Sequence, residues 1–115
     1  MLIAIDFDGT VVESHFPDVG PEMPGATQAL LALVHMGHDL MLWTCREDCR
    51  RRAYLSEAVA WFADRRIPLA GVNKAPEKYE LLPGGRKPHA KIFVDDRNVG
   101  GFVGWDRVLE IIRSS

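Results

Sequence analysis

Three short runs, apolar almost throughout and then abruptly polar, constrain this chain more than any other feature. They are "LIAIDF" (2–7), "DLMLWT" (39–44) and "KIFVDD" (91–96). A strand wetted on one face alternates apolar and polar residues. One covered on both faces does not, so these runs read as strands of a buried parallel sheet. A shorter run, "PLAGV" (68–72), supplies a fourth strand. Helical spacing fills the gaps. Ala26, Leu30, Leu33 and Val34 form one apolar stripe, with Gly37 as its stop. Leu55, Ala58, Val59 and Phe62 form a second, ended by "RRIP", and Val108, Leu109 and Ile112 suggest a short third. Strands alternating with helices, joined by right-handed crossovers, predict a three-layer α/β/α sandwich around a Rossmann-like parallel sheet.

With 115 residues, the chain is expected to form a single domain over 1–115. A net charge of −2 and the lack of a basic run argue against a general nucleic-acid binder. No apolar stretch approaches the ~20 residues of a membrane span, and the opening residues resemble no leader, so a cytoplasmic protein is expected. Cys45 and Cys49 have no second Cys/His pair to complete a metal site, which makes them ordinary reduced thiols. His15, His35, His38 and His89 show no ligand spacing. Trp43, Trp61 and Phe62 read as core or sheet-covering residues. Two connections, 12–22 and 73–90, are longer than joining two elements requires.

Open α/β sheets bind ligands beyond the carboxyl ends of their strands. Here those ends carry Asp6 and Asp8, with Thr10 just beyond; Thr44, followed by Arg46; and Asp95 and Asp96, followed by Arg97 and Asn98. A lone aspartate after a strand is usually a turn former or helix cap. Several gathered at one edge form an all-oxygen cluster that suits a hard divalent cation, Mg²⁺ above all. The cation would also make closely spaced like charges tolerable. A carboxylate needs no base to act as a nucleophile, but it repels a phosphate dianion. At 4 Å and an effective dielectric near 20, each unit-charge pair costs about 4 kcal/mol, which a metal and a lysine ammonium would offset.

In these residues the chain resembles the haloacid dehalogenase superfamily. "DFDGT" is similar to its first motif, an N-terminal strand ending in DxDx[TV]; "LMLWT" to its second, a strand ending in Thr or Ser; and "IFVDD" to its fourth, an acidic strand end. The likeness covers nearly the whole chain, and "DDRNVGG" resembles small bacterial or phage members. It implies a Mg²⁺-dependent phosphatase in which Asp6 is the nucleophile and forms an aspartyl-phosphate. Asp8 would be the general acid/base, with its backbone carbonyl on the metal. Thr10 would support the motif turn, and Thr44 would bind phosphoryl oxygens. From its position after Thr44, and apart from the resemblance, Arg46 reads as a substrate contact or a solvated loop residue. The metal ligands would come from Asp6, Asp8, Asp95 and Asp96, with the order of the last two open. Lys87, ahead of Pro88, is favoured as the third-motif lysine, and Lys74 is second.

The chain leaves no room for a large cap domain. By resemblance, capless members often take larger phosphorylated substrates or use a neighbouring subunit as a lid, so a homo-oligomer stays open. A sugar phosphate, a nucleotide or a phosphorylated macromolecule would each fit. Two rivals stand beside the phosphatase. One is a receiver-like signalling domain that keeps its phosphoaspartate; the other is a catalytically idle binding module of the same superfamily.

Overall fold

The computed structural model describes residues 1–80, 82 and 87–115. Its centre is a four-stranded parallel sheet of β1 (Leu2–Ile5), β4 (Asp39–Leu42), β5 (Gly71–Val72) and β6 (Ile92–Val94), in the order β5-β4-β1-β6. β1 is flanked on both sides, and each of its four residues is at most 1% exposed. That is why its sequence is apolar without alternation. Both faces are nonetheless distinct. Ile3, Ile5, Leu40, Leu42 and Val94 pack into the larger core, whereas Leu2, Ala4 and Met41 pack on the opposite side.

The larger core is roofed by α1 (Ala26–His35), α2 (Tyr54–Asp64) and α3 (Trp105–Arg113). α1 buries Ala26, Ala29, Leu30 and Leu33. It ends where Gly37, at φ 89°, lets His38 N–H reach the Leu33 carbonyl and Gly37 N–H the Val34 carbonyl. That paired closure of a helix end needs the left-handed conformation glycine adopts freely. α2 is started by Asp48, whose carboxylate accepts the Ser56 backbone N–H at 2.9 Å. It delivers Trp61 and Phe62 to Phe7, with ring centroids 6.1 Å apart in each case. α3 buries Trp105, Val108 and Ile112.

The three-layer order follows from crossover handedness. The steps β1 to β4 and β4 to β5 run one way along the sheet, so their helices share a face. The step from β5 back to β6 runs the other way and crosses the opposite face. There the layer is thin: Ala75, Tyr79 and Ala90 cover Leu2, Ala4 and Met41, with a 3₁₀ turn at Glu77–Tyr79. Within this 73–90 connection, residues 81 and 83–86 lie outside the described residues. No large cap is present among the described residues, and no helix is long and apolar enough to cross a membrane.

The strands are shorter than their apolar runs because the last two residues of each run leave the ladder to build the site. The segment expected as a loop over 12–22 is instead an antiparallel hairpin of β2 (Val12–His15) and β3 (Asp18–Glu22), turning at a cis Phe16–Pro17 bond. Its residues are mostly exposed, and it contains Gly20 and Pro21, so no apolar alternation marks it.

Candidate active site

Register brings the strand ends together. Ile5 pairs with Leu42 on one side and Val94 on the other, and Leu42 pairs with Val72. The ladder runs one hydrogen bond further at each junction. Asp6 N–H donates to the Val94 carbonyl, Trp43 N–H to Ile5 and Asn73 N–H to Leu42, at 2.8–2.9 Å. Asp6, Trp43, Asn73 and Asp95 therefore emerge at one edge. They line an open cleft of about 570 Å³ together with Asp8, Ser14, Phe16, Thr44, Cys45, Arg46, Glu47, Asp96 and Arg97.

At its floor, carboxylate oxygens of Asp6, Asp95 and Asp96 lie within 4.8 Å of one another. Burial pushes the Asp6 carboxyl up to about 7, helped by the charge of Asp95 and by a hydrogen bond with Asp96. Asp96 Oδ1 is buried and has no hydrogen-bond partner among the described residues. A buried acceptor without a donor, in a cluster of three carboxylates, matches the hard-oxygen set of a divalent cation. Thr10, fully buried, donates its hydroxyl to Asp6 Oδ2 at 3.2 Å. Its carbonyl accepts the Trp105 indole N–H at 2.9 Å, which ties α3 to the opening motif.

Gly9 is what allows the strand ends to close up. It sits at φ 85°, and a Cβ there would collide with the Asp96 carboxylate, reaching within 2.8 Å of Cγ. Glycine is required for both reasons.

Asp8 goes elsewhere. Beyond Asp6 the chain stops being extended: the Phe7 carbonyl accepts N–H groups from Thr10, Val11 and Val12. The two-residue alternation that would aim Asp8 with Asp6 ends there. Its carboxylate meets Arg46 instead, with Nε and Nη2 each 2.8 Å from one of its oxygens. Arg46 Nη1 donates to the Pro17 and Tyr54 carbonyls and Nη2 also to Asp18, at 3.1–3.2 Å. All five guanidinium donors are thus engaged. The guanidinium carbon lies over the rings of Phe7 and Phe16, at 5.3 and 5.1 Å from their centroids.

Several sequence-based expectations change accordingly. Asp8 does not bring its carboxylate to the acidic cluster, because a bidentate guanidinium holds it. Arg46, expected to contact substrate, is 1% exposed and has no donor left to offer one. Thr10 is likewise sealed from substrate and orients Asp6. Lys87 is exposed, with its ammonium 5.4 Å from the Phe93 ring centroid, and neither it nor Lys74 lines the cleft. Among the described residues the basic side chains lining the cleft are Arg46 and Arg97, and of these Arg97 makes no ion pair. Asp95 Oδ1 accepts the Arg97 backbone N–H at 2.9 Å, which fixes the turn that presents this arginine.

Thr44 lines the cleft. Its Oγ1 accepts the Arg46 backbone N–H at 3.2 Å. Its backbone N–H donates to Asn73 Oδ1 at 2.7 Å. Asn73, at φ 52°, is not among the expected site residues. The rule that exposed Asp6, Thr44 and Asp95 also points to Asn73, the first polar residue after "PLAGV". Both cysteines are exposed and unbonded.

A solved structure of a conserved protein coded by a locus of Bacteroides thetaiotaomicron matches the chain with a TM-score of 0.86 and 40% sequence identity. The match covers 99% of this chain and 90% of that one. This chain belongs to that protein's family. No protein-family model and no curated protein matches the chain. Because the likeness extends over 99% of the chain, it includes every strand end that lines the cleft.

Proposed function

We propose that this chain is a divalent-metal-dependent phosphohydrolase in which Asp6 is the nucleophile. The observation that carries the reading is the position of Asp6: oriented by Thr10, packed against Asp95 and Asp96, and sharing one cleft with Thr44. Asp6, Asp95 and Asp96 would hold Mg²⁺. When bound, the cation offers the charge that lets a carboxylate approach a phosphate dianion. Asp6 attacks phosphorus, the bond to the leaving oxygen breaks, and an aspartyl-phosphate remains. Water then attacks that phosphorus and gives up its proton, the bond between phosphorus and the Asp6 oxygen breaks, and inorganic phosphate leaves with Asp6 restored as a carboxylate. The Thr44 hydroxyl would donate to a phosphoryl oxygen, and Arg97, which lines the same cleft, would provide the cationic side chain in place of a lysine.

A second reading is favoured by one observation. Asp8, which would itself assist the leaving group and the water, has both oxygens on Arg46. If that pair persists, hydrolysis of the phosphoaspartate lacks its acid/base, and the chain holds phosphate as a receiver-like switch. One experiment separates the two: Mg²⁺-dependent phosphate release from aryl and acyl phosphates, run with trapping of phosphoaspartate on Asp6. Continuous release that vanishes with chelator and in Asp6→Asn supports the hydrolase. A long-lived adduct without continuous release supports the switch. Neither release nor adduct from any compound overturns both.

A further inference from the structure

The acidic floor deals with the phosphate and leaves the rest of the substrate unaddressed. At the opposite wall, the tip of the hairpin places Phe16 in the same cleft, 60% exposed. This ring has neighbours on the protein side. It rests on Arg46, a guanidinium fixed by five hydrogen bonds, and it inclines at 39° to Tyr54 with centroids 6.0 Å apart. A large apolar side chain left open to water inside a polar cleft costs hydration and makes no contribution to the core. Trp43, the residue after β4, lines the same cleft.

From the open ring of Phe16 in this cleft we infer that Phe16, together with Trp43 where it emerges from the smaller core, is a stacking subsite for a planar ring on the substrate's leaving group. As a statement of substrate class it rests on the phosphohydrolase reading. It narrows that class to nucleoside or aryl phosphates and away from simple sugar phosphates. Stacking on a preorganised aromatic face is tolerant of ring identity, so purine, pyrimidine and phenol rings share the chemistry.

The test reads ring binding apart from turnover. Metal-free protein is titrated with adenosine, uridine and tyrosine amide, with ribose as the control that lacks a planar π ring, while amide and indole NMR signals are followed. Shifts confined to Phe16, Trp43 and their neighbours are expected for the ring compounds and not for ribose. Phe16→Ala should weaken ring binding about tenfold, the lower part of the range for loss of one stacking face. Phe16→Leu keeps an apolar cover on Arg46 and should retain the wild-type melting temperature while still losing ring binding. Ring compounds that bind no better than ribose, or a folded Phe16→Leu that binds them as wild type does, overturn the subsite. Ring binding by a protein that releases no phosphate leaves the subsite standing and removes the hydrolase reading. In the active enzyme, nucleoside monophosphate and phosphotyrosine arms then show which ring is preferred.

Discussion

Arg46 and Asp8, 38 positions apart, form a bidentate ion pair with both N···O distances at 2.8 Å, and this pair joins the opening turn to the hairpin and to the start of α2. The guanidinium is 1% exposed and the carboxylate side chain 17%. Removing one member leaves the other buried without its counter-charge, which costs more than the intact pair contributes. Arg46→Met should lower unfolding free energy by about 3 kcal/mol in a urea titration. The double variant Arg46→Met/Asp8→Asn should be more stable than the two single losses predict when added. Additive losses would mean that the pair does not act as a unit.

Asp6 brings a pH dependence whose sign follows from its position. Buried beside Asp95 and Asp96, it takes a proton up to about pH 7, against an ordinary value of 3.8. The folded protein thus binds this proton more tightly than the unfolded chain does. The associated stability is present below about pH 4 and is lost as pH rises through about 7. Chemical denaturation of metal-free protein from pH 4 to 8 should follow that decline, and Asp6→Asn should flatten it.

Divalent cation should reverse the same loss. At about 100 times its dissociation constant, a ligand specific to the folded state adds about 2.7 kcal/mol. Melting curves at pH 8 should rise with Mg²⁺ and stay unchanged with Na⁺ at equal ionic strength. The Mg²⁺ response should shrink in Asp96→Asn. An unaltered response in that variant would place the ion elsewhere.

Gly9→Ala combines two penalties: a left-handed backbone that costs an alanine about 1–2 kcal/mol, and a Cβ in the space of the Asp96 carboxylate. The expected result is a loss of at least that size, together with a weaker Mg²⁺ response. Stability that falls while the metal response stays intact would show that Asp96 has room to move.

Asn73→Gly keeps the positive φ accessible and removes the acceptor for the Thr44 N–H. Under the phosphohydrolase reading, kcat/KM should fall about tenfold as the Thr44 loop loosens, with thermal stability nearly unchanged. Equal loss in both would mark Asn73 as a folding residue alone.

Trp105→Phe keeps the ring in the core and takes away the donor to the Thr10 carbonyl. An unsatisfied buried acceptor costs about 1–3 kcal/mol, which a urea titration should register. No change would mean that water replaces the indole.

The layers, the parallel sheet and the strand ends that carry the site were readable in the sequence. A strand flanked on both sides must be apolar throughout, and a helix roofing a sheet must repeat its apolar face every three to four residues. Such signals are local. Asp6, Thr44, Asp95 and Asp96 could be placed at one edge because parallel strands end together.

What the tertiary structure decided lies where the chain stops being periodic. The hairpin has no apolar alternation because its strands are short and largely in water, and it contributes Phe16 to the cleft. Asp8 leaves the acidic cluster because the backbone curls at Phe7 and a buried guanidinium from 38 positions away meets both its oxygens. Arg46 in turn reads as a loop cation until its four partner residues, scattered over the opening turn, the hairpin and α2, are brought around it. Long-range hydrogen bonds of this kind depend on where the backbone passes, and no residue spacing records that.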